Sequence, residues 1–83
     1  MTETFTLSVN YKGGELNLSA QLLLQGYTHK FKILIDGLEV FFEPDEEGSY
    51  RAIKMPWQDK KIMEKIDKHL LFEIQLELQN LKK

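Results

Sequence analysis

From Phe5 to Glu43 the apolar residues recur at every second position, in runs broken by glycine-containing dipeptides. That rhythm constrains the fold more than any other feature. A period of two puts alternate side chains on opposite sides of an extended strand, so each run describes a strand with one face turned to a core. Phe5, Leu7, Val9 and Tyr11 alternate with Thr6, Ser8 and Asn10, and Leu16, Leu18, Ala20, Leu22 and Leu24 with Asn17, Ser19 and Gln21. Phe31, Ile33 and Ile35 then share a side, as do Leu38, Val40 and Phe42. Gly13-Gly14 and Asp36-Gly37 suit two-residue hairpin loops, which need positive φ.

Pairing follows from the loops. With Asp36-Gly37 at the tip, Ile35 faces Leu38, Ile33 faces Val40 and Phe31 faces Phe42, so apolar meets apolar throughout. The other face then sets Lys30 against Glu43, an opposite-charge contact of about 0.2–1 kcal/mol. A Gly13-Gly14 loop sets Val9 against Leu18, Leu7 against Ala20, Phe5 against Leu22 and Ser8 against Ser19. Between these hairpins, Gly26-Tyr27 fits a type II′ turn with Leu24 facing His29; Gln25-Gly26 shifts the pairing by two and keeps the faces. Strands are thus expected at 4–11, 16–24, 29–35 and 38–43, ended by Pro44, which has no N–H for a ladder. Asp45-Glu46-Glu47-Gly48 is turn chemistry, and 49–54 is an optional fifth strand.

Pro56 bars Met55 from helical geometry, and the period changes after that break. Leu71, Ile74, Leu78 and Leu81 form one helical stripe, with Asp67 as N-cap and Lys82 and Lys83 at the negative end of the dipole. Phe72, Ile74, Leu76 and Leu78 also alternate as a strand would. The run of Leu, Glu, Gln and Lys without Val, Thr, Gly or Pro favours a helix over 67–81. The expected fold is α+β: one domain over 1–83, a four- to five-stranded antiparallel meander with the C-terminal helix packed on one face. With 83 residues and no cysteine, neither a second domain nor a disulfide or Cys-zinc staple is available.

Composition narrows the function classes. Through Ile53 there are 4 basic and 8 acidic residues; from Lys54 onward, 7 and 5. The acidic patch at Glu43, Asp45, Glu46 and Glu47 and the Lys60, Lys61, Lys65 and Lys68 stripe read as solvated faces. Asp59, Glu64 and Asp67 neutralise that stripe, and a pI near 5.6 argues against nucleic acid, which needs uncompensated cations. No apolar run approaches the roughly 20 residues of a membrane span. Met1-Thr2-Glu3-Thr4 has neither the basic nor the apolar region of a signal peptide, which makes the cytoplasm the expected location.

No catalytic constellation is legible, so the chain is read as a non-enzyme with no cofactor or metal. His29 and His69 lack the third convergent ligand a metal needs. The acidic turn lacks the alternate-position ligands of a calcium loop. No Gly-x-Ser-x-Gly elbow or phosphate loop occurs.

What remains is surface. Leu23, Leu34 and Phe41 have outward parity on neighbouring strands, and either the Trp57 linker folds over them or they meet a partner. Trp57, after a proline, is a core plug or a contact anchor. The expected function is a small protein-interaction domain, with Leu23, Leu34, Phe41 and Trp57 as candidate interface and a homodimer among the partners it admits. The alternative is a small-ligand binder with a cleft between helix and sheet at Tyr27, His29 and Trp57.

Gly26-Tyr27-Thr28-His29-Lys30-Phe31, Phe42-Glu43-Pro44-Asp45-Glu46-Glu47 and Tyr50-Arg51-Ala52-Ile53 resemble a family of short uncharacterised bacterial proteins of unknown function. Ile66-Asp67, Leu70-Leu71, Ile74 and Leu78 fit the same resemblance, which spans nearly the whole chain. It implies a bacterial, cytosolic, stand-alone domain and brings no activity, cofactor or catalytic residue with it.

Overall fold

A computed structural model describes residues 2–81. Five strands, β1 (Thr2–Tyr11), β2 (Gly14–Gln25), β3 (Thr28–Ile35), β4 (Leu38–Pro44) and β5 (Tyr50–Ile53), form one antiparallel sheet in chain order. A 3-10 turn (Ile62–Lys65) leads into one helix, α1 (Lys68–Asn80). The return strand after the acidic turn is therefore real, though short. Among the described residues no helix is long and apolar enough to cross a membrane, a statement that does not reach β-barrels.

Register shows where sequence logic succeeds and where it slips. β3 and β4 pair Ile35 with Leu38, Ile33 with Val40 and Phe31 with Phe42, and β2 and β3 pair Leu24 with His29 around Gly26-Tyr27. The first hairpin differs. Its loop is Lys12-Gly13, with φ of 51° and 78°, so Val9 faces Leu16, Leu7 faces Leu18 and Phe5 faces Ala20. Ser8 accordingly lies opposite Asn17 rather than Ser19 and donates to its side-chain oxygen at 2.7 Å. The shift is two residues, so every side chain keeps its face. The β3–β4 register is the expected one, but no ion pair joins Lys30 to Glu43. Glu43 lies opposite Arg51 of β5, which binds it through Nε and a terminal nitrogen at 3.0 and 2.7 Å.

The Asp36-Gly37 loop puts both residues at positive φ, 49° and 81°. A Cβ added at Gly37 meets nothing within 4 Å, so the cost of Gly37→Ala is purely that of the backbone. It should destabilise the protein by about 1–2 kcal/mol in urea titration. Gly37→Asn should cost less, because asparagine tolerates the left-handed region.

The core lies between the sheet's inner face and the helix. Leu7, Val9, Leu18, Ala20, Phe31, Ile33, Ile35, Val40, Phe42 and Tyr50 supply one side; Ile66, Leu70, Ile74 and Leu78 supply the other. The helical stripe is turned from its expected position: Leu70 is buried where Leu71 is only half-buried, and Leu81 is exposed. Asp67 caps the helix by accepting the His69 amide at 2.9 Å. Lys82 and Lys83, expected at the dipole's negative end, lie outside the described residues. The backbone of α1 runs close to β1 and β5, the two outermost strands, so the sheet curls around it.

Candidate functional site

The outward group drawn from the sequence does not assemble into one patch. Phe41 is 5% exposed, and the Trp57 ring stands edge-on to it at 5.9 Å. Gln58 fastens the linker beside them, donating to the Glu39 carbonyl at 2.6 Å and accepting the Met55 amide. Trp57 itself stays 68% exposed, so it is a shield for Phe41 rather than a core plug. Leu34 is 41% exposed and Leu23 half-buried, but Lys32, opposite both Gln21 and Phe41, stands between them and reaches Glu39 at 3.3 Å. An ion pair thus interrupts the apolar surface.

Tyr27, His29 and Trp57 do not share a cleft either. His29 faces inward, with Nε2 2.8 Å from the Tyr50 hydroxyl and its ring edge-on to Phe31 and Tyr50. Trp57 covers the opposite face of the sheet, and Tyr27 projects from the turn fully exposed. Parity decides this: residues 29 and 31 share the inner face, whereas Phe41, which Trp57 covers, has outer parity.

A hollow of about 260 Å3 does lie beside His29, between Leu24, Tyr50 and Leu81 at the helix end, without Tyr27 or Trp57; a second cleft between helix and sheet lies at the other end. A hollow of about 390 Å3 is floored by Leu16, Leu18, Ile35 and Leu70 and rimmed by Tyr11, Asp36, Lys65 and Asp67. The Tyr11 hydroxyl donates to the second Asp67 carboxylate oxygen at 2.5 Å, joining β1 to the helix start across 56 residues of sequence. That bond, with the His69 amide, holds the Asp67 carboxyl below its ordinary range. The same bond, reinforced by partial burial and the carboxylate's charge, pushes the Tyr11 hydroxyl up. Nothing in the sequence marks this contact beyond Asp67's suitability as a cap.

The sign of its pH dependence follows. A carboxylate whose folded pKa is depressed stabilises the fold above its unfolded pKa of about 4 and loses that contribution as pH falls through the folded value. Asn can still cap the helix and accept from Tyr11 but carries no charge. The stability advantage of wild type over Asp67→Asn should therefore be full at pH 7 and shrink below about pH 4, read from urea midpoints across pH. At the alkaline end, the raised Tyr11 pKa means its contribution is lost as pH rises through the folded value, above about 10.

The acidic turn is occupied with itself. One Asp45 carboxylate oxygen accepts the amides of Glu47 and Ser49 at 3.0 and 2.9 Å, a local turn motif.

One further feature escaped the sequence reading: the free edge of β1. The residues flanking a two-residue loop exchange both backbone bonds, so Tyr11, Val9, Leu7, Phe5 and Glu3 bond to β2. The backbone groups of Thr2, Thr4, Thr6, Ser8 and Asn10 point the other way, where no strand pairs with them. Edges are normally blunted by brevity, proline, a bulge or inward charge. β1 spans ten residues with an unbroken register, no proline, and Glu3 as its one charge. β5, the opposite edge, has four residues and carries Arg51. The sequence signal was available, since the first strand of a meander is always an edge.

The molecule is an α+β domain whose five-stranded antiparallel sheet packs against a C-terminal helix. No family model, curated protein or solved structure matches the chain.

Proposed function

We propose that the chain is a small protein-interaction domain that works by strand addition along β1. The unguarded ten-residue edge carries this reading, because its outward N–H and C=O groups offer a template for an extended segment. This replaces the outer-face group around Leu34 as the interaction surface: Phe41 there is covered by Trp57, and Lys32 divides the rest.

Thr6→Pro tests it. The Thr6 amide points away from β2, so proline removes a donor from the free edge while the β1–β2 ladder keeps its bonds. Affinity capture with wild type as bait should retain a partner that the Thr6→Pro bait loses, with both baits melting cooperatively. Identical captures would count against strand addition.

A second reading rests on the hollow at the helix start, whose apolar floor and rim of Tyr11, Lys65 and Asp67 suit a small amphipathic molecule. A thermal-shift screen of metabolites and nucleotides should then find a stabilising compound whose effect is lost in Leu16→Trp. A screen in which no condition raises the melting temperature sinks this reading.

A further inference from the structure

We propose that the strand occupying the β1 edge is β1 of a second copy of this chain, antiparallel about a two-fold axis at Thr6, so that two five-stranded sheets become one. This rests on strand addition along β1 and names its occupant.

The strand is complementary to itself. Residues directly opposite in an antiparallel pair share a face, so a two-fold register must pair even with even positions and odd with odd. Centring on Thr6 sets Thr4 opposite Ser8 of the second copy and Thr2 opposite Asn10, and it engages every outward-pointing backbone group of β1. Centring on Leu7 would leave Thr2 unpaired, and centring on Phe5 would leave Asn10 unpaired. On the outer face the seam then consists of uncharged hydroxyl and amide side chains from Thr4, Thr6, Ser8 and Asn10. On the inner face Phe5, half-buried in the single chain, meets Leu7 of the second copy.

Charge points the same way. Glu3 falls opposite Val9 of the second copy, so no like charges face each other along the seam. Lys12 lies in the turn beyond the paired stretch. The other available edge fits less well: β5 offers only four residues, and a β1-to-β5 contact is head-to-tail, leaving one of each edge open for further growth. Pairing β1 with itself closes after two copies and leaves only the short β5 edges at the ends.

The chain has no cysteine, so single-cysteine variants report the register without background. A hydrogen-bonded antiparallel pair holds its Cα atoms about 5.5 Å apart, within disulfide range. Under mild oxidation with copper phenanthroline, Thr6→Cys should become a covalent dimer. Thr4→Cys and Ser8→Cys should each form no cross-link alone and cross-link when mixed. Light scattering of wild type should show twice the monomer mass, falling to the monomer value in Thr6→Pro; the cysteine variants carry the test if that proline unfolds the chain.

A cross-link formed by Ser8→Cys alone, with none from Thr6→Cys, overturns the register. Monomer mass at every concentration with no cross-link overturns the second copy as occupant. If a captured partner is still lost in Thr6→Pro in that case, strand addition itself stands. A dimer that survives in a folded Thr6→Pro overturns both.

Discussion

Ile33→Asp should leave the chain unfolded at neutral pH and room temperature. Ile33 is fully buried on the middle strand, between Ala20 and Val40, which are themselves buried. Cutting an isoleucine back to a small side chain in such a place costs about 2–5 kcal/mol by itself. The new carboxylate is flanked by the apolar Ala20 and Val40, where it must stay charged at a cost of several kcal/mol or take up a proton. A chain of this size has roughly 4–12 kcal/mol of stability in all. The expected observation is a far-UV circular dichroism spectrum without sheet signal and no cooperative urea transition. Ile74→Asp, from the helix side of the same core, should do likewise. A soluble Ile33→Asp variant that melts cooperatively would show that the inner face has been misassigned.

Phe42→Ala should destabilise the protein by about 3–5 kcal/mol, and Phe41→Ala by distinctly less. The two phenylalanines are neighbours in sequence and both are buried, yet they belong to different environments. Phe42 is fully enclosed in the main core, opposite Phe31 on one side and Ala52 on the other. Phe41 is covered on the outer face by a linker whose tryptophan is itself mostly exposed. Deleting the Phe41 ring lets that linker settle or meet water, whereas the space vacated by Phe42 is walled in by β-branched and aromatic side chains. At about 4–8 °C per kcal/mol for a domain of this length, the difference is readily measured. Trp57 emission should respond to Phe41→Ala and ignore a mild core change such as Ile33→Val. Equal destabilisation by the two alanine variants would mean that the outer face carries a second core of equal weight.

Why some of this was legible in the sequence and some was not comes down to the range of the interactions. The hydrophobic alternation fixes faces and Asp36-Gly37 fixes a loop, so the pairing of β3 with β4 can be read directly, while that of β2 with β3 is narrowed to two registers, of which the Gly26-Tyr27 one forms. The β1–β2 register could not be read so, because Lys12-Gly13 and Gly13-Gly14 give registers two residues apart with the same faces. A lysine at positive φ is the less expected solution; here its ammonium lies 5.3 Å from the centre of the Tyr11 ring. Glu43 pairs with Arg51, from a strand only half expected, and not with Lys30. Residues 55–66 have no period at all; outward parity alone raised the alternative that the Trp57 linker covers Phe41, which it does, but nothing local foretold that Gln58 would seize the Glu39 carbonyl. The Tyr11–Asp67 bond is of the same kind: two ordinary residues made neighbours by tertiary structure.

The helix that completes the core emerges from the ribosome after all five strands. At about 5–20 residues per second, the stretch from Ile53 to Asn80 takes roughly one to five seconds to synthesise. Hairpins form in microseconds, so the meander can assemble long before its cover arrives. For that interval the nascent chain displays a greasy sheet face beside an open β1 edge, the combination on which aggregation and chaperone capture act. The bonds from Tyr11 to Asp67 and from Gln79 to Ser49 join the earlier-made strand β1 and the turn before β5 to the two ends of the helix. Neither bond can close before the helix has been made, so both fall at the end of the period in which a newborn chain is exposed to its neighbours.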